Sequence, residues 1–116
     1  MNIFLLDYLN SALFTSHDDG GNGLDSHHTL TDFSPDAIEK ATTDCTKFEA
    51  DNAADLTDNN PKNSPGHDFW LTRNGHGAGF WDGDYLKGIG KRLTESAHSF
   101  GNSECYVGDD GMLYLT

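Results

Sequence analysis

Thiols are scarce in this chain. Cys45 and Cys105 stand far apart, with no CxxC pair between them. That count excludes a zinc ribbon and argues against a disulfide framework, so both are expected as reduced, buried small hydrophobes. Basic residues are scarce as well: 7 Lys and Arg face 19 Asp and Glu, for a net charge of −12. A field of that sign repels phosphate backbones, so direct nucleic-acid binding is not expected. Long apolar runs are missing too. Ile3 to Leu6 is too short for a signal peptide and Asp7 interrupts it, while no stretch approaches membrane-spanning length. The expected setting is cytoplasmic. Catalytic signatures are also absent, with no GxSxG, no HExxH and no GxxxxGK[ST]. No catalytic residue, cofactor or metal is therefore assigned.

What remains is enough for one domain over residues 1–116. The apolar fraction of 35% predicts a thin core, and the 11% of aromatics offset this because each buries a large area. The charge is lopsided. Residues 1–60 carry twelve carboxylates against Lys40 and Lys47, a net of −10. Residues 61–116 carry seven against five bases, a net of −2.

The first fifteen residues predict a helix capped by Asn2 and buried over much of its circumference, with a strand over Ile3 to Leu6 as the alternative. The glycine-rich stretch 16–31 predicts a loop. Its His17, Asp18, Asp19, Asp25, His27 and His28 include metal-ligand types, but the offsets of an EF-hand are not met. A second helix is signalled by Ser34 as N-cap, Pro35 at N1, Asp36 at the positive end of the dipole, and Phe33 placed to staple onto Ile38. Ile38, Ala41, Cys45 and Phe48 repeat on one face, which Leu56 rejoins if the helix runs that far. Asp44, Asp51, Asp55 and Asp58 form an acidic stripe along the edge of that face. Lys40 and Lys47 neutralise its first part, and nothing nearby neutralises Glu49 to Asp58.

In the second half, HDFWLTRNGHGAGFWDGD (residues 67–84) has two aromatic runs, Phe69-Trp70-Leu71 and Phe80-Trp81, around a glycine-rich centre, which predicts a hairpin. A helix is predicted over Tyr85 to Phe100, with Gly101 ending it and Gly88 and Gly90 weakening its start. Cys105 to Val107 and Met112 to Leu115, joined by Gly108-Asp109-Asp110-Gly111, predict a second hairpin. The expected fold is α+β in the order ααββαββ: a small antiparallel sheet of about four strands packed against two to three helices.

The 67–84 block, followed by KRLTESAHSFG and YVGDDGMLY, resembles a family of small acidic proteins encoded by bacteriophages and other bacterial mobile elements. The resemblance covers about residues 34–114. It implies a phage-type origin and a host-bacterial cytoplasmic setting, and it implies no catalytic residues.

Two sets of residues are candidates for function. The acidic set, Asp44, Glu49, Asp51, Asp55 and Asp58, suits a protein partner with a basic, nucleic-acid-binding surface. Carboxylates there would stand in for phosphates, as in a DNA-mimic inhibitor of a host defence or transcription component. The second set, Trp70, Arg73, Asn74, His76, Trp81 and Asp82, surrounds the Arg73-Asn74-Gly75-His76-Gly77 turn and suits a small-ligand or partner site. Four members also have a plain alternative: core packing for the tryptophans, and hydrogen bonds to loop carbonyls for Arg73 and His76. Homo-oligomerisation through the aromatic block is the third reading.

Overall fold

The structure is a computed structural model, described here for residues 1–57, 64–76, 79–81, 85–86 and 88–116. Helix α1 (Ile3–Thr15) starts where the sequence places it. Asn2 is the N-cap, and its side chain accepts the Leu5 N–H at 2.9 Å. Phe4, Leu5, Tyr8, Leu9, Ala12 and Leu13 are all buried, so α1 lines the core along its whole length. Helix α2 (Pro35–Asp51) likewise begins at Ser34, whose hydroxyl accepts from Ala37 N–H. It does not run unbroken to Leu56. Asn52 ends it, donating its side-chain amide to Phe48 O and Ser96 Oγ, and a short helix α3 (Ala53–Thr57) follows.

The predicted central hairpin is overturned. Its first arm lies inside helix α4 (Pro65–Arg73), and Phe80-Trp81 lies in a turn. Phe69, Trp70, Leu71, Thr72 and Arg73 are buried in succession, so no exposed stripe betrays the helical period. The aromatic run then resembles a strand. The helix signals present are local ones: Pro65 in the first turn with Asp68, and Arg73 in the last. The four-stranded sheet falls with that hairpin. Among the described residues the one sheet has two strands, β1 (Cys105–Val107) and β2 (Leu113–Leu115), antiparallel with Tyr106 opposite Tyr114. The chain is mainly helical.

Between α4 and the hairpin lies helix α5 (Ile89–His98), which starts after Gly88. Gly101 ends the turn that follows with φ 72°, a left-handed conformation that glycine adopts without a Cβ clash.

The core is an aromatic column. Phe48 of α2 stacks on Phe69 of α4, centroids 4.2 Å apart, and on Phe80 at 5.5 Å. Phe100 meets Phe69 edge-on at 5.1 Å. Helix α4 packs against α1 so closely that a Cβ on Gly66 would lie 2.0 Å from the Phe4 carbonyl oxygen. Glycine is required there by contact rather than by dihedral freedom. Among the described residues no helix is long and apolar enough to cross a membrane.

Candidate functional site

Arg73 ends α4 and points inward. Its guanidinium is almost fully buried and makes four hydrogen bonds. Nη1 donates to Asp44 Oδ2 at 2.8 Å and to the Tyr8 hydroxyl at 3.0 Å; Nε donates to Gly101 O at 2.9 Å and Nη2 to Phe100 O at 3.1 Å. The guanidinium carbon also lies 5.6 Å and 5.7 Å from the ring centres of Phe69 and Phe100. One side chain thus joins α1, α2 and α4 to the carbonyls left unpaired after α5. Asp44, from the acidic set, and Arg73, from the turn set, are partners of each other, and Lys40 adds a second cation to Asp44 at 2.9 Å.

The rest of the acidic stripe is also largely engaged. Asp51 pairs with Lys47 at 2.6 Å. Asp55 takes Arg92 of α5 in a two-pronged pair at 2.7 and 2.9 Å. Those hydrogen bonds hold the Asp55 carboxyl below its ordinary range and raise the Arg92 guanidinium. Glu49 is half-buried and accepts a 3.3 Å hydrogen bond from Asn2. Asp58 lies outside the described residues. Within the segment that looks unneutralised along the sequence, Asp55 is neutralised in space by Arg92, a residue 37 positions away, while Glu49 has no cation among the described residues.

The turn set divides. Trp70 is in the core, its indole N–H donating to Thr15 Oγ1 at 2.8 Å, whereas Trp81 is exposed. Asn74 is a bracket, giving its amide to Trp70 O and accepting the Ser103 N–H. His76 is exposed, and its ring makes no hydrogen bond among the described residues. Trp70, Asn74 and His76 do line one open concavity of about 370 Å³ with His17, Glu104 and Cys105. Arg73 faces away from it, and Gly77 and Asp82 lie outside the described residues. Among the described residues no three His, Cys, Asp or Glu are grouped to hold a metal. Neither thiol is activated: burial pushes Cys45 up, and Cys105 is pushed up to about 12.

Apart from Glu49, the carboxylates left free of cations lie elsewhere. Among the described residues every Lys and Arg lies within 4.0 Å of a carboxylate, at Asp44, Asp51, Asp55 or Glu95. Asp7, Asp25 and Glu104 have no such cation, and six more, Asp18, Asp19, Asp36, Glu39, Asp109 and Asp110, share that lack. Those six belong to three segments that meet at the hairpin. The 16–23 loop borders Tyr106 and Val107, the start of α2 is tied to β2 by Ser34 N–H to Leu113 O, and Asp109-Asp110 is the hairpin turn itself. Some of these carboxylates also shape the backbone. Asp18 accepts from the Gly20 and Asn22 amides, and those hydrogen bonds, led by Asn22, lower its pKa. Asp110 accepts from the Tyr114 hydroxyl and the Met112 N–H, with the same effect.

Tyr106 and Tyr114 were not among the candidates, although strand alternation sets them opposite Cys105 and Leu113, away from the core. Their rings stack with centroids 5.8 Å apart, and Tyr106 is 47% exposed. No family model matches the chain, and no curated protein or solved structure matches it.

Proposed function

We propose that the protein is an acidic interaction module that docks on a basic, nucleic-acid-binding surface of a protein partner, its carboxylates occupying the places of phosphates. The observation that carries this reading is the complete pairing of the described cations. Among the described residues each Lys and Arg is already held by a carboxylate, while the acids around the hairpin have no cation. Such a surface draws basic partners over a Debye length and disfavours polyanions. The docking carboxylates are those of the hairpin end rather than the stripe from Asp44 to Asp55, which the fold uses internally. The resemblance to phage-encoded proteins supplies a setting, the host bacterial cytoplasm, and a partner class, a defence or transcription component.

The test is capture of host nucleic-acid-binding proteins on the immobilised chain, with salt and duplex DNA as competitors. A bound basic protein should elute between about 0.1 and 1 M salt, as the Debye length falls from about 10 to about 3 Å, and duplex DNA should displace it. Capture that is indifferent to both salt and DNA would contradict the proposal.

A further inference from the structure

The free edge of β1 is open in a way that the edge of β2 is not. Strand β2 is flanked on its second side by Phe33, in a parallel bridge to Leu113. On β1, the flanking bonds Gly108 N–H to Met112 O and Thr116 N–H to Glu104 O make Tyr106 and Tyr114 a hydrogen-bonded pair. The backbone N–H and C=O of Val107 therefore point away from β2, and no described backbone group pairs with them. A cleft of about 410 Å³ runs beside this strand, lined by His17, Asp18, Asp19, His28, Tyr106 and Val107. Tyr106 is on the solvent face of the hairpin and Val107 is on the face shared with Leu113, so a cleft touching both follows the edge rather than either face. Its lining includes two carboxylates and neither Lys nor Arg.

We infer that this cleft seats an extended, arginine-bearing segment of the partner, which adds a strand to the edge of β1. The inference rests on the acidic-docking reading above and names where and in what form the basic partner engages. An unpaired strand edge is a template for an incoming strand. Charge complementarity selects the side chains: Asp18 and Asp19 face an arginine from the cleft wall, and the outer ring of the Tyr106–Tyr114 stack offers its face to a guanidinium. Arginine suits this seat better than lysine, because its planar cation stacks on an aromatic face and also pairs with a carboxylate.

The probe is a short labelled peptide alternating arginine with threonine, titrated into the full chain by fluorescence anisotropy. A version methylated on alternate backbone nitrogens keeps the charge and cannot form a strand ladder. The parent peptide should bind and slow hydrogen exchange at the Val107 amide. Backbone methylation should abolish binding, and Tyr106→Ala or Asp19→Asn should weaken it by about tenfold or more and by a smaller factor, respectively. Asp19 is exposed and its side chain makes no hydrogen bond among the described residues, so its variant stays informative if Tyr106→Ala is poorly folded. Equal binding of the parent and methylated peptides, with Val107 exchange unchanged, overturns this seat. If salt-sensitive capture of a basic protein persists in that case, acidic docking stands without the edge; if capture is lost as well, both readings fall.

Discussion

At the scale of single residues, Arg73 donates to oxygens from Tyr8, Asp44, Phe100 and Gly101, and its removal leaves all four short of a donor at once. Breaking one partner out of a buried ion pair typically costs about 3–5 kcal/mol, because the other charge stays desolvated. Lys40 remains beside Asp44 and softens that loss. Arg73→Met is therefore expected to lower unfolding free energy by about 3 kcal/mol in urea titration. Arg73→Lys should recover only part of this, since an ammonium cannot reach four acceptors spread around a planar fork. A loss below about 1 kcal/mol for the Met variant would mean that the hub is replaceable. Asp44 belongs to the same network, so its substitution should not add independently to that of Arg73.

At the scale of elements, the α1–α4 contact is set by Gly66, where any side chain meets the Phe4 carbonyl. Gly66→Ala would raise helix propensity by up to ~1 kcal/mol in an exposed helix. Here overpacking dominates, and a net loss of about 1–3 kcal/mol by thermal or urea unfolding is expected. A stabilised variant would show that α4 moves away from α1 at little cost. The elements legible in the sequence are those with explicit caps or alternation: Asn2 for α1, Ser34-Pro35-Asp36 for α2, Gly101 after α5, and the β1–β2 hairpin. Helix α4 was not legible, because burial of five consecutive residues from Phe69 to Arg73 removes the polar stripe on which periodicity depends. Its capping site is also disguised. Ser64 makes no cap hydrogen bond and instead donates to Asp7 Oδ2 at 2.9 Å. Ion pairing was partly hidden for a related reason: the Asp55–Arg92 pair crosses between helices, so counting charges along α2 leaves out the cation that holds Asp55.

At the scale of the whole molecule, a net charge of −12 is spread unevenly once the internal pairs are set aside. On the α2–α5 side Asp44, Asp51 and Asp55 are held against Lys40, Lys47, Arg73 and Arg92 and Glu49 has no cation, whereas the hairpin end presents Asp19, Glu39 and Asp109 to solvent with no cation among the described residues. None of those three carboxylates makes a hydrogen bond among the described residues, so they can be neutralised with little effect on the fold. The direct measurement compares two variants for salt-sensitive binding of the captured basic partner. One carries Asp19→Asn, Glu39→Gln and Asp109→Asn; the other carries Glu49→Gln and Asp51→Asn on the α2 stripe. The first should lose at least about tenfold in affinity at low salt, with a shallower salt dependence, while the second changes it by less than about threefold. If instead the α2 variant loses affinity and the hairpin-end variant binds as before, the hairpin end is not the docking surface.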